Sequence, residues 1–233
     1  GLEGAGRAPR RPPRPFQSQG GYEDDVDRVI LACEMIEDEV GLALAALPTE
    51  ARPPIVWVES GLHDRPERLN AALQHLLDLL DESVHSGHPV ELPTVTPGRG
   101  PASERQTTVS VGPVGQVVFA LGFCGKALQG LVSRRMQLAF PRVDDCIALF
   151  LNHGCTREDI PRDTRSYYVT RGWFRHNSSL NQAFRDWVER FGPERAASLR
   201  RSMFVGYERV SLIDTKAYEV GDCLDDSRAY ADA

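Results

Sequence analysis

Residues 116–121 read QVVFAL, five apolar residues in a row with none of the polar alternation of a half-exposed strand. A strand without a polar side must be covered on both faces, which is the situation inside a parallel sheet. Three further segments repeat the signal: DRVILAC at 27–33, IVWVE at 55–59 and QLAF at 137–140. Helical patterns stand between them. EMIEDEVGLALAAL follows the first strand and is stopped by Pro48. In PERLNAALQHLLDLL, residues Leu69, Leu73, Leu76, Leu77 and Leu80 share one helical stripe, with Asp64 as the expected N-cap. A short helix is expected after Gly125-Lys126, and DDCIALFL predicts another, capped by Asp144 or Asp145. SYYVT at 166–170 and RVSLI at 209–213 read as strands, with helices near 178–191 and 193–205 between them. Strands alternating with helices predict an α/β fold, a mainly parallel sheet with helices on both faces, Rossmann-like, in a single domain over 23–233. Residues 84–114, rich in Pro, Gly, Ser and Thr, read as a polar insertion or mobile loop between the two halves of the sheet.

Composition narrows the function classes. Of 233 residues 41% are hydrophobic and 26% charged, an ordinary globular balance. The 27 Lys and Arg stand against 33 Asp and Glu, a formal net charge of −6, which argues against a nucleic-acid partner. No apolar run approaches the roughly 20 residues that span a bilayer, so no membrane partner is expected. Residues 1–22 are rich in Pro, Gly and Arg with little to bury, and are expected to be a disordered tail. No secretion signal is read there, so the expected location is cytoplasmic, with thiols kept reduced.

In an open parallel sheet, ligands bind where the loops converge at the carboxyl ends of the strands. Those ends carry unusual residues here. Cys33 ends the first strand, Gly61-Leu62-His63-Asp64 follows the second, Cys124 follows the third, and Asp144-Asp145-Cys146 follows the fourth. Thiolate and imidazole are zinc ligands, and three cysteines also suit an iron–sulfur cluster. Cys33, Cys124 and Cys146 are therefore the candidate metal ligands, with His63 as a fourth and Asp145 as a proton-transfer or supporting carboxylate. The bland alternative is that each cysteine is a small buried hydrophobe. No CxxC pair occurs; Cys155 and Cys223 fall in loop and tail contexts, and His75, His85, His88, His153 and His176 on helix surfaces or loops.

The loop LGFCGKALQG invites a second reading. Gly122 and Gly125 permit close backbone approach, and Lys126, with Arg142 nearby in sequence order, offers charge to an anionic cofactor. It has neither P-loop spacing nor GxGxxG. Tyr168 and Trp173, within a cluster of Arg165, Tyr167 and Arg171, would line or close a pocket over such a ligand. No GxSxG, HExxH or Ser-His-Asp arrangement is present, so nucleophilic hydrolysis has no support.

The stretches ILACEMIEDEV, GLHDRPERLNAALQ, LGFCGKALQGL, PRVDDCIALFL, SYYVTRGW and YERVSLID together resemble an uncharacterised family, domain of unknown function 1638. The resemblance spans most of residues 28–214, and its cysteine-bearing pieces are the most specific. It supports Cys33, Cys124 and Cys146 as a set. The family occurs in methanogenic archaea and bacteria, often beside corrinoid-linked methyl-transfer genes. What the resemblance implies is a metal-dependent transferase or accessory protein, zinc or iron–sulfur, tied to thiol or methyl-transfer chemistry and to a small molecule or corrinoid-linked partner. The competing expectations are a cofactor-binding module without catalysis and an accessory subunit docked on a larger enzyme.

Overall fold

Residues 27–152, 162–176 and 178–232 are described by the computed structural model. The expected tail at 1–22, His153 and Cys155 lie outside the described residues. In chain order the strands are β1 (Arg28–Cys33), β2 (Ile55–Val58), β3 (Val90–Val95), β4 (Gln106–Val111), β5 (Gln116–Ala120), β6 (Gln137–Ala139), β7 (Ser166–Val169) and β8 (Arg209–Leu212). Four of them form an all-parallel sheet in the order β2-β1-β5-β6. β1 is central: Leu31 stands beside both Val56 and Phe119, and Ala32 beside Trp57 and Ala120.

The side-chain alternation of β1 feeds two cores. Val29 and Leu31 join the leucine stripe of α2 (Pro66–Ser86), where Leu73, Leu77 and Leu80 are completely buried. Burying each such leucine is worth about 1.5–3 kcal/mol before its conformational entropy is counted. Ala32 faces the other way, onto Met35, Ile36 and Val40, the last in α1 (Glu37–Ala45). Cys146 and Leu149 of α3 (Cys146–Leu151) and Trp173 of α4 (Arg171–His176) pack against that second core. The sheet is thus covered on both faces, as its apolar strands require.

Several local expectations give way. Residues 84–114 are not a loop: α2 runs on to Ser86, ends on left-handed Gly87 (φ 73°), and is followed by the antiparallel hairpin β3–β4. Leu92, Val95 and Val111 of the hairpin are buried. The Thr94 hydroxyl accepts from the Trp57 N–H (2.7 Å) and donates to the Trp57 carbonyl (3.1 Å), so it occupies the free edge of β2. α2 starts without a side-chain cap; Arg65, not Asp64, stands at the N-cap position, and Pro66 supplies the first turn. β7 and β8 form a separate two-stranded parallel sheet. Between them run α4, α5 (Ser178–Phe191) and α6 (Pro193–Met203), and α7 (Leu224–Asp232) follows β8. No described helix is long and apolar enough to cross a membrane.

Candidate functional site

Because the four sheet strands are parallel, the segments after β1, β2, β5 and β6 all emerge at one edge. There they enclose a cavity of about 350 Å³. Cys33 reaches it from the end of β1, His63 from the turn after β2, Cys124 from the loop after β5, and Asp145 and Cys146 from the start of α3. The segment around β7 and α4 closes the other side with Tyr167, Tyr168 and Trp173. The three cysteines, drawn from positions far apart in the chain, therefore face one space.

The loop after β5 is held in an unusual shape. The Phe123 N–H donates to the Val143 carbonyl (3.1 Å) and the Cys124 N–H to the Asp144 carbonyl (2.8 Å), zipping the loop to the approach of α3. At Gly122 any β-carbon would sit 2.3 Å from Asp145 Cα, so only glycine permits this contact. Cys124, Gly125 and Lys126 then take three successive left-handed conformations, with φ of 40°, 67° and 80°. A left-handed non-glycine residue costs on the order of 1–3 kcal/mol, and such strain concentrates at functional sites. The same three torsions rule out the helix expected after Lys126; residues 124–130 are turns instead.

The thiols are held neutral at ordinary pH. Burial pushes Cys33 well above the usual thiol range, and neighbouring Cys146 and Cys124 push it further. Burial, then the Asp145 carboxylate, raises Cys124 to about 11. Cys146 is raised to about 12 by burial and then by Cys124 and Asp145. Each thiolate would thus disfavour the next, a conflict that a cation among them would reverse. Asp145 is itself engaged: one oxygen caps α3 by accepting from the Ala148 N–H (2.7 Å), and the other pairs with Arg162 (2.8 Å). His63 Nε2 lies 3.1 Å from an Asp64 carboxylate oxygen. The donor types suit a thiophilic metal. Their spacing does not form a closed ligand set, since among the described residues no group of three or more His, Cys, Asp or Glu is arranged to hold a metal ion.

Of the expected cofactor contacts, Gly122, Gly125, Tyr168 and Trp173 line the cavity, whereas Lys126 and Arg142 are exposed and do not. Trp173 sits in an aromatic cluster, 5.8 Å from the Tyr167 ring and 4.6 Å from that of Tyr230. Arg171 turns away to pair with Asp38 of α1, and Arg165 pairs with Glu208 (3.1 Å). Cavity-lining Arg162 and Tyr207 carry no motif that would mark them in the sequence.

Directly behind Cys33 lies a polar network that sequence reasoning missed. Glu34 is wholly buried, accepts from the Ser60 N–H (2.9 Å) and is gripped by the Arg105 guanidinium (2.6 Å). His176, expected on a surface, is buried between Glu34 (3.4 Å) and Glu37 (3.3 Å). Its partners lie near the start of the chain, so no local pattern at 176 reveals them. The charge on Glu34 is the signal that was available: an acidic residue placed right after a buried strand calls for a buried partner.

Fold and site together define a parallel-sheet α/β protein with a thiol-lined pocket at the carboxyl edge. The chain belongs to the family described as Protein of unknown function (DUF1638), which matches residues 104–233 and so includes Cys124 and Cys146. No curated protein and no solved structure matches it.

Proposed function

We propose that the protein carries a metal–thiolate centre, zinc or an iron–sulfur cluster, on Cys33, Cys124 and Cys146, with His63 at its rim. One observation carries this reading: three thiols from the segments after three separate strands border a single cavity, where Cys146 and Cys124 oppose the ionisation of Cys33 and Cys124 that of Cys146. A metal bound there would replace the thiol protons and offer an open position to a substrate thiol, the chemistry of thiol or methyl-group transfer. The chain's own residues then do three things. The Gly122–Lys126 loop fixes the position of Cys124, the Asp145 cap fixes Cys146, and Tyr168 and Trp173 give the cavity an aromatic wall.

Protein purified without oxygen, with metal analysis and a visible spectrum, tests the proposal. Stoichiometric zinc in a colourless protein, or iron and sulfide in a brown one, is expected. Cys124→Ser and Cys146→Ser should each lose most of that metal. Metal at background, with all three thiols open to alkylation after unfolding, refutes it. In that event the aromatic wall favours the second reading, a small-molecule pocket without catalysis.

A further inference from the structure

A larger cavity of about 1200 Å³ adjoins the thiol pocket, and Trp173 lines both. Its walls come from the start of α2, the loop joining β3 to β4, and helices α4 to α7. Six arginines but only four carboxylates line it, in a chain whose net charge is −6. A positive cleft on an acidic protein focuses anions.

The arginines divide into two groups. Arg175 pairs with Glu37 (2.6 Å), Arg200 lies 5.1 Å over the Tyr230 ring, and Arg185 also has a partner. Arg65, Arg68 and Arg99 have no side-chain hydrogen bond or ion pair among the described residues. Of the carboxylates, Asp64 is held by His63 (3.1 Å) and Asp186 has a partner; Glu59 and Asp226 complete the set. All three are exposed at the cleft, so their guanidinium groups are free to meet a ligand. Arg65 at the N-cap and Arg68 in the first turn of α2 stand where the helix dipole disfavours cations by about 0.3–1 kcal/mol each. Arg99 stands between Gly98 and Gly100 on a loop whose base is fastened by Arg105, which donates to the Thr96 carbonyl (2.6 Å) and the Gly100 carbonyl (3.3 Å). Trp173 and Phe174 supply aromatic surface to the same cavity; Tyr230 lines it too, its ring covered by Arg200 and stacked on Tyr167.

Arginines bind phosphates through paired hydrogen bonds, and aromatic faces accept planar rings. We infer that this cleft binds a nucleoside polyphosphate, with its phosphates on Arg65, Arg68 and Arg99 and its base against the aromatic side. The inference stands whether or not the thiols hold a metal. Calorimetric titration of the full chain with ADP, pyrophosphate and adenosine tests it. ADP should bind more tightly than pyrophosphate, and adenosine most weakly. The Arg65→Ala/Arg68→Ala double variant and the Arg99→Ala variant should each weaken ADP by roughly tenfold or more, from the loss of charged hydrogen bonds. Arg134→Ala, an exposed arginine outside the cleft, should leave ADP affinity unchanged. Circular dichroism verifies that the variants are folded. The inference is overturned by absent ADP binding, by pyrophosphate binding as tightly as ADP, or by equal losses in the cleft and control variants.

Discussion

Gly172 decides how closely the aromatic side of the molecule approaches β1. It is buried in α4, and a β-carbon there would lie 1.9 Å from the Met35 carbonyl oxygen and 2.8 Å from its carbon. Those are backbone atoms in the turn after Cys33, so no side chain can swing aside. Ordinary contact begins near 3.4 Å, and Gly172→Ala therefore forces α4 to retreat by about 1.5 Å. Arg171, Arg175 and His176 ride on that helix, and their partners Asp38, Glu37 and Glu34 stay behind. Overpacking of this kind costs about 1–3 kcal/mol, and the loosened ion pairs place the change at the upper end. The ordinary helix preference of alanine over glycine returns only about 0.5–1 kcal/mol. A net loss of roughly 2 kcal/mol should lower the melting temperature by about 4–8 °C in a chain of this size. Gly41→Ala in α1 is the control: nothing lies within 4 Å of its β-carbon. There the same substitution should stabilise by about 0.5–1 kcal/mol. Thermal melts paired with urea denaturation read both variants, the urea slope verifying that the transition stays two-state. If Gly172→Ala melts at or above the parent temperature, α4 is not seated on the turn after β1, and the described wall of the thiol pocket is wrong.

Glu34→Gln should cost about 3–5 kcal/mol in urea denaturation, because it leaves the largely buried Arg105 guanidinium without its counter-charge; a loss below about 1 kcal/mol contradicts the buried pair. Asp145→Ala should cost about 0.5–2 kcal/mol through the lost α3 cap, whereas Arg162→Ala, which removes only the half-exposed ion pair, should cost about 0–1 kcal/mol; equal losses would contradict the cap. Burial raises the phenols of Tyr167, Tyr218 and Tyr230, Tyr218 to about 12, so their phenolate absorbance should rise only above the ordinary tyrosine range. These phenols bind their protons more tightly folded than unfolded, so the stability they contribute is complete below pH 10 and is lost as pH rises toward 12. A single phase near pH 10 in the folded protein would count against their burial.

The parallel sheet was legible because its central strands lack a polar face, and α2 because five leucines fall on one stripe. The hairpin was not. VELPTV and QTTVSV mix threonine, proline and charge, and one side of each strand is solvated, so composition suggested a loop. The turn at Cys124–Lys126 was hidden for another reason: left-handed torsions at a cysteine and a lysine are imposed by the Val143–Asp144 backbone, not by local preference. The convergence of Cys33, Cys124 and Cys146 was foreseeable from topology alone, since parallel strands deliver their ends to one edge. Lys126 and Arg142 stand outside the thiol pocket, because the tight turn leaves Lys126 in solvent and Arg142 is exposed.

Glu34 ties these outcomes together. A wholly buried carboxylate beside a thiol is expensive unless it is paired, and Arg105, Ser60 and His176 come from the hairpin, from the segment after β2 and from α4. Three elements that sequence patterns treat as separate are thereby drawn to the residue immediately after Cys33. The same three elements form walls of the arginine cleft, through Ala102 beside Arg105, Gly61 beside Ser60 and Arg175 beside His176. The polar network is therefore the shared foundation of both cavities: it sets the end of β1 on one side and the mouth of the cleft on the other. Glu34→Gln should then disturb both pockets at once, lowering ADP affinity and exposing Cys33 to alkylation, whereas a change confined to either cavity leaves the other intact.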